Sequence, residues 1–145
     1  MTDGNPSGIS FYNEDIEFDD YNEELTSAWL KNVTALEGIS IIFLNIIFCS
    51  DDYLLQLNIQ YLNHDTLTDI ITFPYDEGSE ISGDIFISIE RVLDNSETLG
   101  IPFKDELDRV MVHGLLHLLG YKDKTEAEQL EMRGKENFYL SKRVQ

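Results

Sequence analysis

Two of the chain's three histidines, His113 and His117, stand four residues apart, with Gly120 three positions further on and Asp123 three beyond that, in the stretch HGLLHLLGYKD. On a helix, residues i and i+4 lie one above the other on the same face, so the two imidazoles can each direct a nitrogen at one point. Gly120 suits the left-handed conformation that ends a helix, which lets the chain turn back and bring Asp123 up as a third ligand. Three protein ligands with a fourth position open form the arrangement of a catalytic zinc site, where one ion acidifies bound water into a nucleophile. Two histidines on a helix are often no more than structural, but a histidine-poor chain has here put two of its three in register. Gly114, in mid-helix, costs about 1 kcal/mol relative to alanine, which a close approach by a strand, a helix or a ligand would explain.

The spacing is also near that of the zinc proteases, H-E-x-x-H-x-x-G-x-x-H. Those enzymes need a glutamate directly after the first histidine as general base. This chain has Gly114 there, which makes a metalloprotease-like hydrolase the lesser alternative.

Around the motif, the residues read as alternating elements. The run 9–15 is a short strand. Residues 19–38 form a helix with first-turn acids, an apolar face of Leu25, Trp29, Val33 and Leu36, and Gly38 as its stop. ISIIFLNIIFC (39–49) is apolar on both faces and reads as a central buried strand containing Cys49 as a small buried hydrophobe. Residues 50–63 open on Ser50 and two aspartates and place Leu54, Leu57 and Tyr61 at helical spacing. DIITFPY (69–75) and GDIFISIE (83–90) are β-rich, joined by a loop over 76–82, with Pro74 pointing to a sheet edge. Helices follow over 91–100, over 102–120 and over 124–143, the last weakened at Gly134. The expected fold is α+β: one domain over residues 1–145, a four-stranded sheet packed with about five helices, and the metal motif at the end of a helix.

Charge is distributed unevenly. The formal net charge of −18 speaks against nucleic acid, yet residues 1–90 hold eighteen acids against one base, Lys31, while residues 91–145 are nearly balanced. An anionic ligand would be met by the C-terminal third, which carries the histidines. The start of the chain, MTDGNPSG, lacks the positive charge and apolar segment of a secretion signal, no apolar run reaches the length of a spanning helix, and the one cysteine excludes internal disulfides. The expected location is cytoplasmic.

HGLLHLLGYKD also resembles the signature of the YbeY family of rRNA-maturation endoribonucleases, close to H-G-x-L-H-L-x-G-Y-D-H, at His113, Gly114, Leu116, His117, Leu118, Gly120 and Tyr121. Upstream, LNIQYLNHDTLTDIITFP (57–74) and GDIFIS (83–88) are similar to two further family stretches, and the likeness runs over roughly residues 35–140. The resemblance implies a mixed sheet, zinc held at the three motif positions, and cleavage of single-stranded RNA in maturation of small-subunit ribosomal RNA and in ribosome quality control. The small subunit or its associated proteins would then be partners. Asp123 stands where the family has its last histidine, and its added negative charge should weaken the metal as a Lewis acid. Leu62 replaces the family's arginine and Lys122 the aspartate before the last ligand. Lys122 is therefore a candidate for restoring charge near the metal. His64, after a helix and before a strand, could reach the groove but reads first as a surface-loop residue, and Asp69 and Asp84 read as turn and cap residues at strand starts. Water or the ribose 2′-hydroxyl could serve as nucleophile. The remaining alternative is a ribosome-associated binding protein that keeps the metal without catalysis.

Overall fold

The computed structural model describes residues 8–75 and 80–143. Their elements follow in the expected order: β1 (Ile9–Asn13), α1 (Glu23–Leu36), β2 (Ser40–Cys49), α2 (Asp51–Leu62), β3 (Ile70–Pro74), β4 (Glu80–Ser88), α3 (Ile89–Leu99), α4 (Phe103–Leu118) and α5 (Glu126–Leu140). The strands form one sheet in the order β1-β2-β4-β3. β1 pairs parallel with β2 and β2 with β4, whereas β3 pairs antiparallel with β4, so the fold is α+β with a mixed sheet. Pro74, which has no N–H to give, closes β3 on the sheet's edge.

Alternation along the strands sends Leu44, Ile46 and Phe48 of β2 and Ile81, Ile85 and Ile87 of β4 to one face. There they form the main core with Trp29, Leu30 and Val33 of α1, Leu115 and Leu116 of α4, and Met132 and Tyr139 of α5. The Trp29 indole donates to the Tyr139 carbonyl at 2.7 Å, tying α5 to α1. The other face is covered only in part, by α2, over a smaller cluster of Cys49, Leu54 and Ile71. Burial pushes the Cys49 thiol up to about 12, with help from the acids Asp15, Glu14, Asp51 and Glu90, so it is a packed hydrophobe.

The structure corrects several boundaries. α1 begins at Glu23 rather than Asp19, because the Asn22 side chain accepts the Leu25 N–H and caps the helix there. Its buried stripe is Thr26, Trp29, Leu30, Val33 and Thr34, leaving Leu25 and Leu36 on the flanks, exposed. Tyr61 of α2 is also exposed. β2 is central but not buried throughout: Ile42 and Phe43 are exposed, beside a register shift at Ile41/Phe43. β4 starts at Glu80, so part of the segment read as loop is strand, while residues 76–79 and the segment 1–7 lie outside the described residues. Asp84 sits in mid-strand, accepting from the Asn45 amide at 3.0 Å and the Tyr75 hydroxyl at 2.7 Å. Among the described residues no helix is long and apolar enough to cross a membrane.

Candidate metal centre and the grooves beside it

α4 is helical for sixteen residues and lies against the β3–β4 hairpin at its C-terminal half. Gly114 allows that contact: a Cβ there would stand 2.6 Å from Ile70 Cδ1 and 3.1 Å from Ile85 Cγ2. A side chain at 114 would therefore enter the sheet, not the site, which removes the position from which a protease glutamate would work. Past Leu118 the helix closes with a Schellman pattern, the Gly120 N–H donating to the His117 carbonyl and the Tyr121 N–H to the Leu116 carbonyl, both at 3.0 Å. Gly120 has φ +108°, the left-handed conformation expected of it.

This turn brings Asp123 back over the helix face. Its Oδ2 lies 3.4 Å from His113 Nε2 and 3.3 Å from His117 Nε2, and one donor atom from each of the three residues falls within 4.8 Å of the others. Tetrahedral zinc with bonds of about 2.0–2.1 Å separates adjacent donor atoms by roughly 3.3 Å. The spacing fits such an ion. The donor chemistry fits as well, because each imidazole is committed through its other nitrogen. His113 Nδ1 lies 2.6 Å from Glu136 Oε2, and His117 Nδ1 lies 3.1 Å from the Tyr121 carbonyl. Carboxylate and carbonyl only accept, so both Nδ1 atoms carry a proton, which leaves the Nε2 atoms, on the side of Asp123, as the ones available to a metal.

Glu136 is 2% exposed and belongs to a chain of buried charges. Arg109 reaches it at 3.3 Å and holds Glu106 through two nitrogens, Nε at 3.0 Å and Nη2. Arg133 stands 3.5 Å away. Burial works to raise the Glu136 carboxyl, but the hydrogen bond and charge of His113, with Arg109 and Arg133, outweigh it and hold the group below its usual range. On the other side, Glu37, at the end of α1, accepts from the Tyr121 hydroxyl at 2.6 Å, from Lys135 at 3.1 Å and from the Tyr139 hydroxyl. Burial alone would raise Glu37 too. These three donors and the Lys135 charge bring it below its ordinary value.

His113 and Asp123 line two grooves at once. The first, of about 620 Å³, runs from the triad past Leu62, His64, Thr66, Asp69 and Thr72 and includes Lys124. The second, of about 650 Å³, runs along α5 past Gln129, Leu130 and Arg133. His64, read from the sequence as a surface-loop residue, lies in the first groove, placed by the left-handed cap at Asn63 (φ 57°). Asp69 lies there too, with Asn95 Nδ2 3.4 Å from its carboxylate. Lys122 lines a separate hollow with Glu37 and Glu128, and the lysine of the histidine groove is Lys124. Leu62, half exposed, lines the first groove where the family pattern has arginine.

Sequence reasoning missed Glu136, Arg109 and Glu106. A signal was present: Met132, Glu136 and Tyr139 share the buried stripe of α5, and an acid on an apolar stripe needs a buried partner.

Comparison with known proteins places the chain in a family. The family model described as Endoribonuclease YbeY matches residues 8–143. A Flavobacterium psychrophilum protein named Endoribonuclease YbeY is 53% identical over 129 residues, covering 89% of this chain and 91% of that one. One of the same name from Amoebophilus asiaticus is 50% identical, with 92% of each chain covered. The solution structure of TM1509 from Thermotoga maritima superimposes with a TM-score of 0.64 at 27% identity, over 92% of this chain and 87% of that one. The chain belongs to the YbeY endoribonuclease family.

Proposed function

We propose that the chain is a zinc-dependent endoribonuclease that cuts single-stranded RNA, in maturation of small-subunit ribosomal RNA and in ribosome quality control, with His113, His117 and Asp123 as the metal ligands. The observation that carries the reading is the convergence of two Nε2 atoms and one carboxylate oxygen at the junction of two open grooves, with side-chain exposures of 20%, 29% and 39%. A structural zinc site is closed by its ligands, while a catalytic one keeps a position open. When bound there, zinc supplies acidified water and draws charge from phosphate oxygens. The protein's own part is to hold the ligands' protonation and direction. Glu136 and the Tyr121 carbonyl keep the Nδ1 protons in place, and the Schellman turn sets Asp123 at its distance. The cation of the first groove, Lys124, can meet a substrate phosphate, as can His64 by hydrogen bond.

Metal analysis of the purified protein beside cleavage of a single-stranded RNA tests this, on wild type and His117→Ala. One equivalent of zinc with cleavage, both lost in the variant, is expected. Metal without cleavage would turn the reading into a binding protein, and cleavage of casein in place of RNA would restore the protease.

A further inference from the structure

The metal triad is a divide with a groove on each side. Both grooves contain His113 and Asp123, the first extending toward β3 and the α2–β3 loop and the second along α5. An enzyme that cuts within a strand must accommodate chain on both sides of the broken bond. An end-cutting enzyme needs only one such path. Each arm also offers one exposed cation from the nearly balanced C-terminal third of the chain. In the first this is Lys124, which has no ion-pair partner among the described residues. In the second it is Arg133. Arg109 in that arm is spent on Glu106 and Glu136, at 18% side-chain exposure, whereas Arg133 is 58% exposed and stands no closer than 3.5 Å to Glu136. A guanidinium in that position has donors left for a phosphate. Leu130, 75% exposed beside it, offers an apolar surface against which a base or sugar can rest.

The geometry points to a two-armed binding track: a single RNA strand lies across the triad with nucleotides in both grooves, and Arg133 binds a backbone phosphate in the α5 arm while Lys124 does so in the other. This rests on the reading of the site as an endoribonuclease. It assigns to the α5 face, and to Arg133, a part in substrate binding that the motif itself does not reveal. With the family arginine replaced by Leu62, phosphate affinity must come from cations elsewhere, and these two line the grooves that contain His113 and Asp123.

The test is binding of fluorescein-labelled oligouridylates to metal-free protein in chelator, by anisotropy, with cleavage of the long oligonucleotide by zinc-loaded protein in parallel. Arg133→Ala should weaken decauridylate binding about tenfold, the loss of one charge-assisted contact. It should also lower the slope of log affinity against log salt by about 0.7, the value for one phosphate on a single strand. Arg133→Lys should recover part of both. A dinucleotide, short enough to occupy one arm, should lose far less to Arg133→Ala than the decamer does. Thermal melting and zinc content should stay near those of wild type, since the exposed Arg133 is no ligand and the more buried Arg109 still pairs with Glu136. If decamer affinity and salt slope are unchanged in Arg133→Ala while wild type binds and cuts RNA, the α5 arm is refuted and the endoribonuclease reading stands. If wild type binds the decamer through Arg133 but does not cut it, the track stands and the enzymatic reading falls. If wild type binds no RNA, both fall.

Discussion

The two histidines sit one turn apart on one helix yet are held by opposite means. His113 is backed by a full negative charge, Glu136, set between two arginines and buried on α5. His117 is backed by a neutral backbone carbonyl, in a turn whose side chain is tied to Glu37. A carboxylate partner makes an imidazole the more basic ligand, whereas a carbonyl mainly fixes its direction. One ligand therefore depends on charge carried by distant side chains, and the other on the path of the backbone. The same candidate metal site can fail in two separable ways.

The most damaging way to break this asymmetry is on the His113 side. Glu136→Ala leaves a buried arginine short of a partner and an imidazole without its orienting acceptor. It should cost about 3 kcal/mol in denaturant unfolding and lower zinc affinity about 10–100-fold in a competition titration. Glu136→Gln keeps an acceptor for Nδ1 and should fall between the two. Equal zinc affinity in wild type and Glu136→Ala would show that charge behind His113 is not what holds the ligand.

On the His117 side no side-chain deletion can remove a carbonyl, so the turn itself must be strained. Gly120→Ala places a Cβ in a left-handed residue, at a cost of roughly 1–2 kcal/mol, and should lower zinc affinity by shifting the Tyr121 carbonyl and Asp123 together. Tyr121→Phe is milder. It loses the hydroxyl bond to Glu37, about 1 kcal/mol of stability, while the carbonyl remains and zinc affinity holds.

The smallest effect is a matter of pH. Glu37 titrates lower in the folded chain than its ordinary 4.5, so its contribution is present above that value and is lost as pH falls through the folded one. The stability gap between wild type and Glu37→Gln, followed by urea melts, should close on acidification below about 4.5. A gap that is constant across that range would mean Glu37 is no more than a neutral hydrogen-bond acceptor.

What the sequence disclosed and what it hid follow the same division. His113, His117, Gly120 and Asp123 lie within eleven residues, so helical geometry and one turn suffice to bring them together. The element order was equally open to reading, because period-2 and period-3.6 patterns are local, whereas the mixed strand directions came from the family resemblance. Glu136 is 23 residues from its histidine and Glu37 is 84 from Tyr121. Among so many acids, only packing marks these two out. The reading named Lys122 and did not consider Lys124, the lysine that lines the histidine groove, because which way a short loop faces after Asp123 is recorded in no pattern. Leu25 and Leu36 were misplaced because the apolar face was drawn too wide, when threonines 26 and 34 complete it.

The glycine at 114 has a further result. Because it sits between the two histidines and rests on Ile70 and Ile85, the depth at which α4 seats on the hairpin sets the height of both imidazoles together. Adding a methyl group there would press on the side-chain ends of Ile70 and Ile85, and any part of the strain they did not absorb would move the two imidazoles together, their mutual distance intact. The contact beneath the helix is thus a mechanical setting shared by both histidines, separate from the turn that places Asp123.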